Sequence, residues 1–198
     1  MSLVVALAGS QEAVIGGDWR SISFLGSCKR LEEELYSGQI RNDQELIDRA
    51  KELNASLQVS DGREKVWRCG DLLVGEVTEI SAQLERRRRI YLAPGGTLVV
   101  DITGSEAKIR STGKTGCIIL GNQFTQTLAG DEVRRAKGRV NGDMIRNILT
   151  LAGNSSASVS RQYTLLRTDV KQSDPNESLL KALMEDCEKS GWRLCGLQ

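Results

Sequence analysis

The sequence predicts an α+β protein, because Val- and Ile-rich runs open the chain, a long middle of short β-rich runs follows, and helical spacing flanks that middle. Residues 3–8 and 13–15 read as a hairpin ending in a Gly16-Gly17-Asp18 turn, so the polypeptide begins inside a sheet. Residues 21–25 form a further strand. Charged helical spacing then runs over 29–36 and stops at Ser37-Gly38, where glycine suits a C-cap. Asn42 and Asp43 cap a second helix that runs to about Leu53.

In the middle, residues 57–59, 66–69, 72–77, 88–92, 97–102, 107–110 and 117–120 read as strands. Asp61-Gly62, Gly70-Asp71, Pro94-Gly95-Gly96 and Gly113 supply the turn chemistry between them. Helices are expected over 123–137 and 142–152, a strand over 159–167, and a helix over 177–189 opened by Asp174-Pro175. A last short strand falls within 192–197. A chain of 198 residues, 39% hydrophobic, can bury one substantial core. One domain over 1–198 is expected, with two small domains as the alternative, and a further domain C-terminal to it is left open.

The charges nearly cancel, 27 basic against 26 acidic, which argues against dedicated nucleic-acid or membrane-surface binding. The first apolar run has six residues and no preceding Lys or Arg, too short for a secretory signal or a membrane span. Five scattered cysteines, none in a CxxC pair, fit reduced thiols in a cytoplasmic protein. The chain has no histidine. That excludes Ser-His-Asp and Cys-His catalysis and His-ligated zinc, and any nucleophile must find another base. Neither a metal nor a cofactor is expected.

Arg86, Arg87, Arg88 and Arg89 would alternate sides in a strand and are expected to project as a solvated ribbon. A docking site for an acidic partner and a nucleic-acid contact are the rival readings. Gly113-Lys114-Thr115 is no phosphate loop, since Lys108 stands where the first glycine belongs. Ser2 becomes N-terminal once Met1 is removed, and an α-amine with a pKa of about 7.7–8.0 is a base that histidine would otherwise supply.

The run Ser2-Leu3-Val4-Val5-Ala6-Leu7-Ala8-Gly9, followed by Ala13-Val14-Ile15-Gly16-Gly17-Asp18-Trp19-Arg20, resembles the start of proteasome β-subunits. With the stretch from Ile22 to Gly26 and the stretch Leu31-Glu32-Glu33-Glu34-Leu35-Tyr36-Ser37-Gly38, it resembles the connectases, archaeal proteasome-related protein ligases. The resemblance implies an N-terminal-nucleophile αββα sandwich, proteasome β-subunit-like, carrying a helical insertion over about 29–60. It implies Ser2 as nucleophile, with Asp18 and Arg20 in the site. Its lysine is Lys65, which stands before the run at 66–69, or else Lys29. Gly75 would be the oxyanion donor. Asn122 falls where the family has Ser, and Ser155 and Ser158 fall where it has Asp-x-x-Ser, so Ser155 departs from the pattern. The implied activity is transpeptidation at a Lys-Asp-Pro-Gly-Ala-like motif, cut and rejoined at its Asp-Pro bond by a monomer rather than a ring. The competing classes are a peptidase of the same chemistry, a non-catalytic proteasome-like scaffold and an arginine-ribbon nucleic-acid binder.

Overall fold

The computed structural model describes residues 3–80, 85–137 and 141–195. In chain order it holds β1 (Val4–Ala8), β2 (Ala13–Asp18), β3 (Ser21–Leu25), α1 (Lys29–Tyr36), α2 (Asp43–Glu52), β4 (Ser56–Ser60), β5 (Val66–Cys69), β6 (Leu72–Ile80) and β7 (Glu85–Ala93). There follow β8 (Gly96–Thr103), β9 (Glu106–Gly113), β10 (Gly116–Leu120), α3 (Gln123–Arg135), α4 (Gly142–Ser155), β11 (Tyr163–Thr168), α5 (Pro175–Ser190) and β12 (Arg193–Cys195).

Two sheets stack face to face. One has the order β10-β1-β2-β11 and the other β12-β9-β8-β7-β6-β5. Val4, Ala6, Ala8, Ala13 and Ile15 of the first meet Val66, Leu73, Val77, Ile90, Leu92 and Val99 of the second in a dry inner layer. The alternate residues face outward and bury helices. Leu3, Val5 and Val14 pack on Ala129 of α3 and on Ile145, Ile148 and Leu149 of α4. On the other side Val74, Tyr91, Leu98 and Val100 pack on Leu179, Ala182 and Leu183 of α5. Period-two strands whose faces are both covered thus build an αββα sandwich.

Local chemistry fixes the helix ends. The side chains of Asn42, Asn122, Asn141 and Asp174 each accept from a first-turn amide. Three sequence expectations change. The expected Gly16-Gly17-Asp18 turn is the end of β2, held in the ladder between β1 and β11. The strand expected over 159–167 starts only at Tyr163, and the residues before it wrap around Asp18 instead.

The third change concerns the arginine run, which the pleat divides. Arg89 lies on the α5 side, where it bonds Glu76 and Asp186 and stacks over Trp67 and Trp192 at 5.2 and 4.8 Å. Arg87 also stacks over Trp192. Arg86 and Arg88 occupy the opposite face and bond Asp101 of β8. The ribbon is therefore engaged on both faces.

The insertion is α1, α2 and the strand β4, which returns to pair with β3. Leu31, Leu35, Ile40, Leu46 and Ala50 give it a small core that closes over Ala157. Gly38, at φ +80, meets the Phe124 ring so closely that a Cβ would stand 2.3 Å from it. The insertion is thereby seated against α3 and against the loop after α4. Among the described residues, no helix is long and apolar enough to cross a membrane.

Candidate active site

Asp18 closes β2 opposite the first described residue and is fully buried. Its N–H donates to Leu3 O at 3.2 Å, and Leu3 N–H donates to the carboxylate Oδ1 at 2.8 Å. In an ordinary antiparallel pair that second amide would go to Asp18 O. Here Asp18 O instead accepts from Lys65 Nζ at 2.6 Å. The other carboxylate oxygen accepts from the N–H groups of Arg20 and Ser160 at 2.8 and 3.1 Å and lies 3.0 Å from Lys65 Nζ. Both oxygens of the buried carboxylate are thus engaged, one by a backbone amide and the other by two amides and the lysine.

Lys65 stands one residue before β5 and is 5% exposed. Its carbonyl accepts from Glu76 N–H at 2.8 Å, which fixes the backbone while the ammonium reaches Asp18. Burial lowers its pKa to about 8, against the upward pull of Asp18. Lys29 lies elsewhere, exposed in the first turn of α1 and on the wall of the cleft described below. Of the two lysines named from the sequence, the fold brings Lys65 to Asp18.

Arg20 contributes its amide to Asp18, but its side chain turns away. The guanidinium bonds Asp61 through Nε and Nη2, both at 2.8 Å, pairs with Asp43 at the start of α2, and donates to Ala157 O at 2.8 Å. The Asp61 bond and the Asp43 pairing outweigh the cost of burial and raise its pKa further. Arg20 therefore ties the insertion and the loop after α4 to the carboxylate's own strand end, which is a positioning task.

Gly75 sits in mid-strand, where a Cβ would stand 2.7 Å from Ile15 and 3.0 Å from Val4. Because Glu76 N–H points to β5, alternation along β6 aims the Gly75 N–H at β7, opposite Ile90. An oxyanion donor needs an N–H directed at the reacting carbonyl. In this position Gly75 lets the two sheets approach, and the oxyanion expectation is corrected on that ground.

Asn122 caps α3 and donates from Nδ2 to Ser158 Oγ at 3.1 Å. Ser158 Oγ lies 2.7 Å from Ser156 Oγ, and all three residues are buried. Ser155 is the last residue of α4, only half-buried, and it is Ser156 that joins the network. Sequence reasoning missed Ser156, Ser160, Asp43 and Asp61. Ser156 and Ser160 come to the site through the turn between α4 and β11, a geometry that no periodic pattern announces. Ser2 lies outside the described residues.

A cleft of about 760 Å³ opens beside this end of β1, where Val4 pairs with Leu120. Its walls are α1, strand β7 and the junction from Leu120 to Asn122. Among the described residues, no group of three or more His, Cys, Asp or Glu side chains is gathered to hold a metal. The Asp18–Lys65 pair and the Asn122–Ser158–Ser156 network are arranged to move a proton and stabilise charge.

Two stacked sheets between helical layers, with a buried Asp–Lys pair where the first strand begins, make an αββα sandwich with its candidate site at one end of the sheets. The profile of the family described as "Connectase MJ0548-like, N-terminal domain" matches residues 1–188, and the chain belongs to that family. Among solved structures it is similar to HslV from Trypanosoma brucei, at 11% identity over 85% of this chain and 99% of that one, with a TM-score of 0.46. It is similar also to BPH of Thiobacillus denitrificans in complex with epoxomicin, at 11% identity over 86% and 100% and a TM-score of 0.47. Anbu from Hyphomicrobium sp. strain MC1, a Gly-1 mutant, is similar at 8% identity over 96% of each chain, with a TM-score of 0.44. No curated protein sequence matches the chain.

Proposed function

We propose that this protein is an acyl-transfer enzyme whose nucleophile is Ser2, freed by removal of Met1, and that it joins peptides as a protein ligase. The observation that carries this is the buried Asp18–Lys65 pair, tied through Asp18 Oδ1 to the amide of Leu3, the residue that follows Ser2 in the chain. An ammonium at that place lowers the proton affinity of a neighbouring hydroxyl and favours attack.

Ser2 Oγ adds to a peptide carbonyl carbon while its proton passes to the Ser2 α-amine. The C–N bond then breaks, the amine donates that proton to the leaving nitrogen, and an ester on Ser2 remains. A second peptide's amine attacks the ester carbonyl and gives a proton to the Ser2 α-amine, the C–O bond breaks, and the α-amine passes that proton to the released Ser2 Oγ. Membership of the connectase family supports an amine rather than water as second acceptor, and a Lys-Asp-Pro-Gly-Ala-like motif opened at Asp-Pro as substrate. A monomer acting in the cytoplasm completes this reading.

The test incubates the processed protein with a peptide carrying that motif and a second peptide that begins at its Pro. A joined product is expected in the parent and none in Ser2→Ala. Equal joining by both proteins overturns the reading, and release of free acid alone in the parent replaces ligation with hydrolysis.

A further inference from the structure

The cleft beside the start of β1 has walls of opposite charge that do not satisfy one another. Arg86 and Arg88 line it from β7. Asp101 is bonded by Arg88 Nε at 2.6 Å, by Arg86 Nη2 at 2.9 Å and by Arg110 Nη1 at 3.3 Å, so three guanidiniums share one carboxylate. Burial pushes the Asp101 carboxyl up, but the bonds from Arg88 and Arg86 hold it at about 2, so its contribution is already one full charge. Among the described side chains, positive charge remains in surplus on this wall.

Across the cleft, α1 presents Glu32, Glu33 and Tyr36 beside Lys29. Their spacing of three and four residues puts them on one helix face. Glu34, one residue further round, is taken by Arg30 and Arg49. Among the described residues no ion pair engages Glu32 or Glu33, and none bridges the two walls. Such surplus charge on facing walls is what a charged guest relieves.

An extended peptide sends successive side chains to opposite sides. We infer that the cleft reads substrate by charge, with Arg86 and Arg88 taking a side-chain carboxylate and Glu32 and Glu33 taking the cationic side chain of the adjacent residue. This rests on the acyl-transfer reading for the identity of the guest as a peptide. The guanidinium fork suits a carboxylate, because it offers parallel donors in a fixed plane. The assignment makes α1, and hence the insertion, one half of the specificity device.

The experiment titrates Ser2→Ala protein, which binds without turnover, with four fluorescein-labelled peptides identical except at two adjacent positions: Lys-Asp, Lys-Asn, Gln-Asp and Gln-Asn, each followed by Pro-Gly-Ala. Fluorescence anisotropy is expected to show Asp over Asn by about tenfold, the scale of one charge-assisted hydrogen bond. Adding Arg86→Gln and Arg88→Gln should bring that ratio below about twofold and leave the Lys-to-Gln ratio in place. Glu32→Gln with Glu33→Gln should do the converse. Arg86→Gln alone, at the more exposed position, should lower the Asp-to-Asn ratio partway and guards against a folding loss in the double variant. An unchanged Asp-to-Asn ratio in both arginine variants, or no binding of any peptide, overturns the inference. Parallel mass analysis of the active protein separates the two readings: charge discrimination without an ester on Ser2 refutes acyl transfer, and an ester without charge discrimination refutes the cleft assignment.

Discussion

Two buried ionic clusters lie on either side of strand β6, and they are built for different ends. Under α5, Arg89 bonds Glu76 at 2.7 Å and Asp186 at 2.6 Å, and Tyr91 donates to Asp186 at 2.7 Å. Burial and the Asp186 bond push the Tyr91 hydroxyl far up, and the pairing with Glu76 outweighs burial to raise Arg89. Both shifts carry the Tyr91 hydroxyl and the Arg89 guanidinium further from neutrality, and three elements are latched together. At Asp18, by contrast, most donors are backbone amides, and the cation beside it is a lysine lowered to about 8. A latch needs fixed charges. A site benefits from one group close to its point of discharge.

The comparison breaks most visibly at Lys65 and Asp18. Lys65→Met and Asp18→Asn are each expected to slow formation of the Ser2 ester by about 10²–10⁴-fold, the range for a positioned proton-handling group. Stopped-flow or quenched mass analysis measures it, and an effect below tenfold would place Lys65 with the latch. Next comes pH. The ester-forming rate should rise as the Ser2 amine loses its proton and fall as Lys65 discharges through about 8. Lys65→Arg, which cannot discharge, should lose the falling limb whatever its absolute rate.

Glu76→Gln tests the latch: it should lower stability by about 1–3 kcal/mol in denaturant melts, as removal of a buried charged partner does, with the ester rate within twofold of the parent. Arg20→Gln should loosen the insertion, raising the peptide concentration for half-maximal rate more than it lowers the maximal rate. Lys29→Ala is expected to change the ester-forming step by less than about threefold, because a surface charge on the cleft wall is screened by solvent.

Much of the framework was legible in the sequence because its signals are local. The caps at Asn42 and Asp174 and the runs at 66–69 and 117–120 name their own elements. Asp18 and Lys65 were reached through the resemblance to proteasome β-subunits, which names a carboxylate and a lysine at those places. What escaped depends on contacts between distant segments. The ladder that engages Gly75 is set by β7, fifteen residues away at Ile90. Arg20 looks like a site residue until Asp43, Asp61 and Ala157 converge on it through the fold. Alternation alone predicted that the arginines would divide, but only the fold brings Trp67 and Trp192 to one half and Asp101 to the other.

The most direct measurement is the intact mass of the processed protein after a brief exposure to a motif-bearing peptide, quenched in acid and mapped to the N-terminal fragment. The expected result is one acyl group on Ser2, absent in Ser2→Ala and strongly delayed in Lys65→Met. An unmodified Ser2 in fully processed protein that still joins or cleaves the peptide would contradict the assignment of nucleophile and pair together.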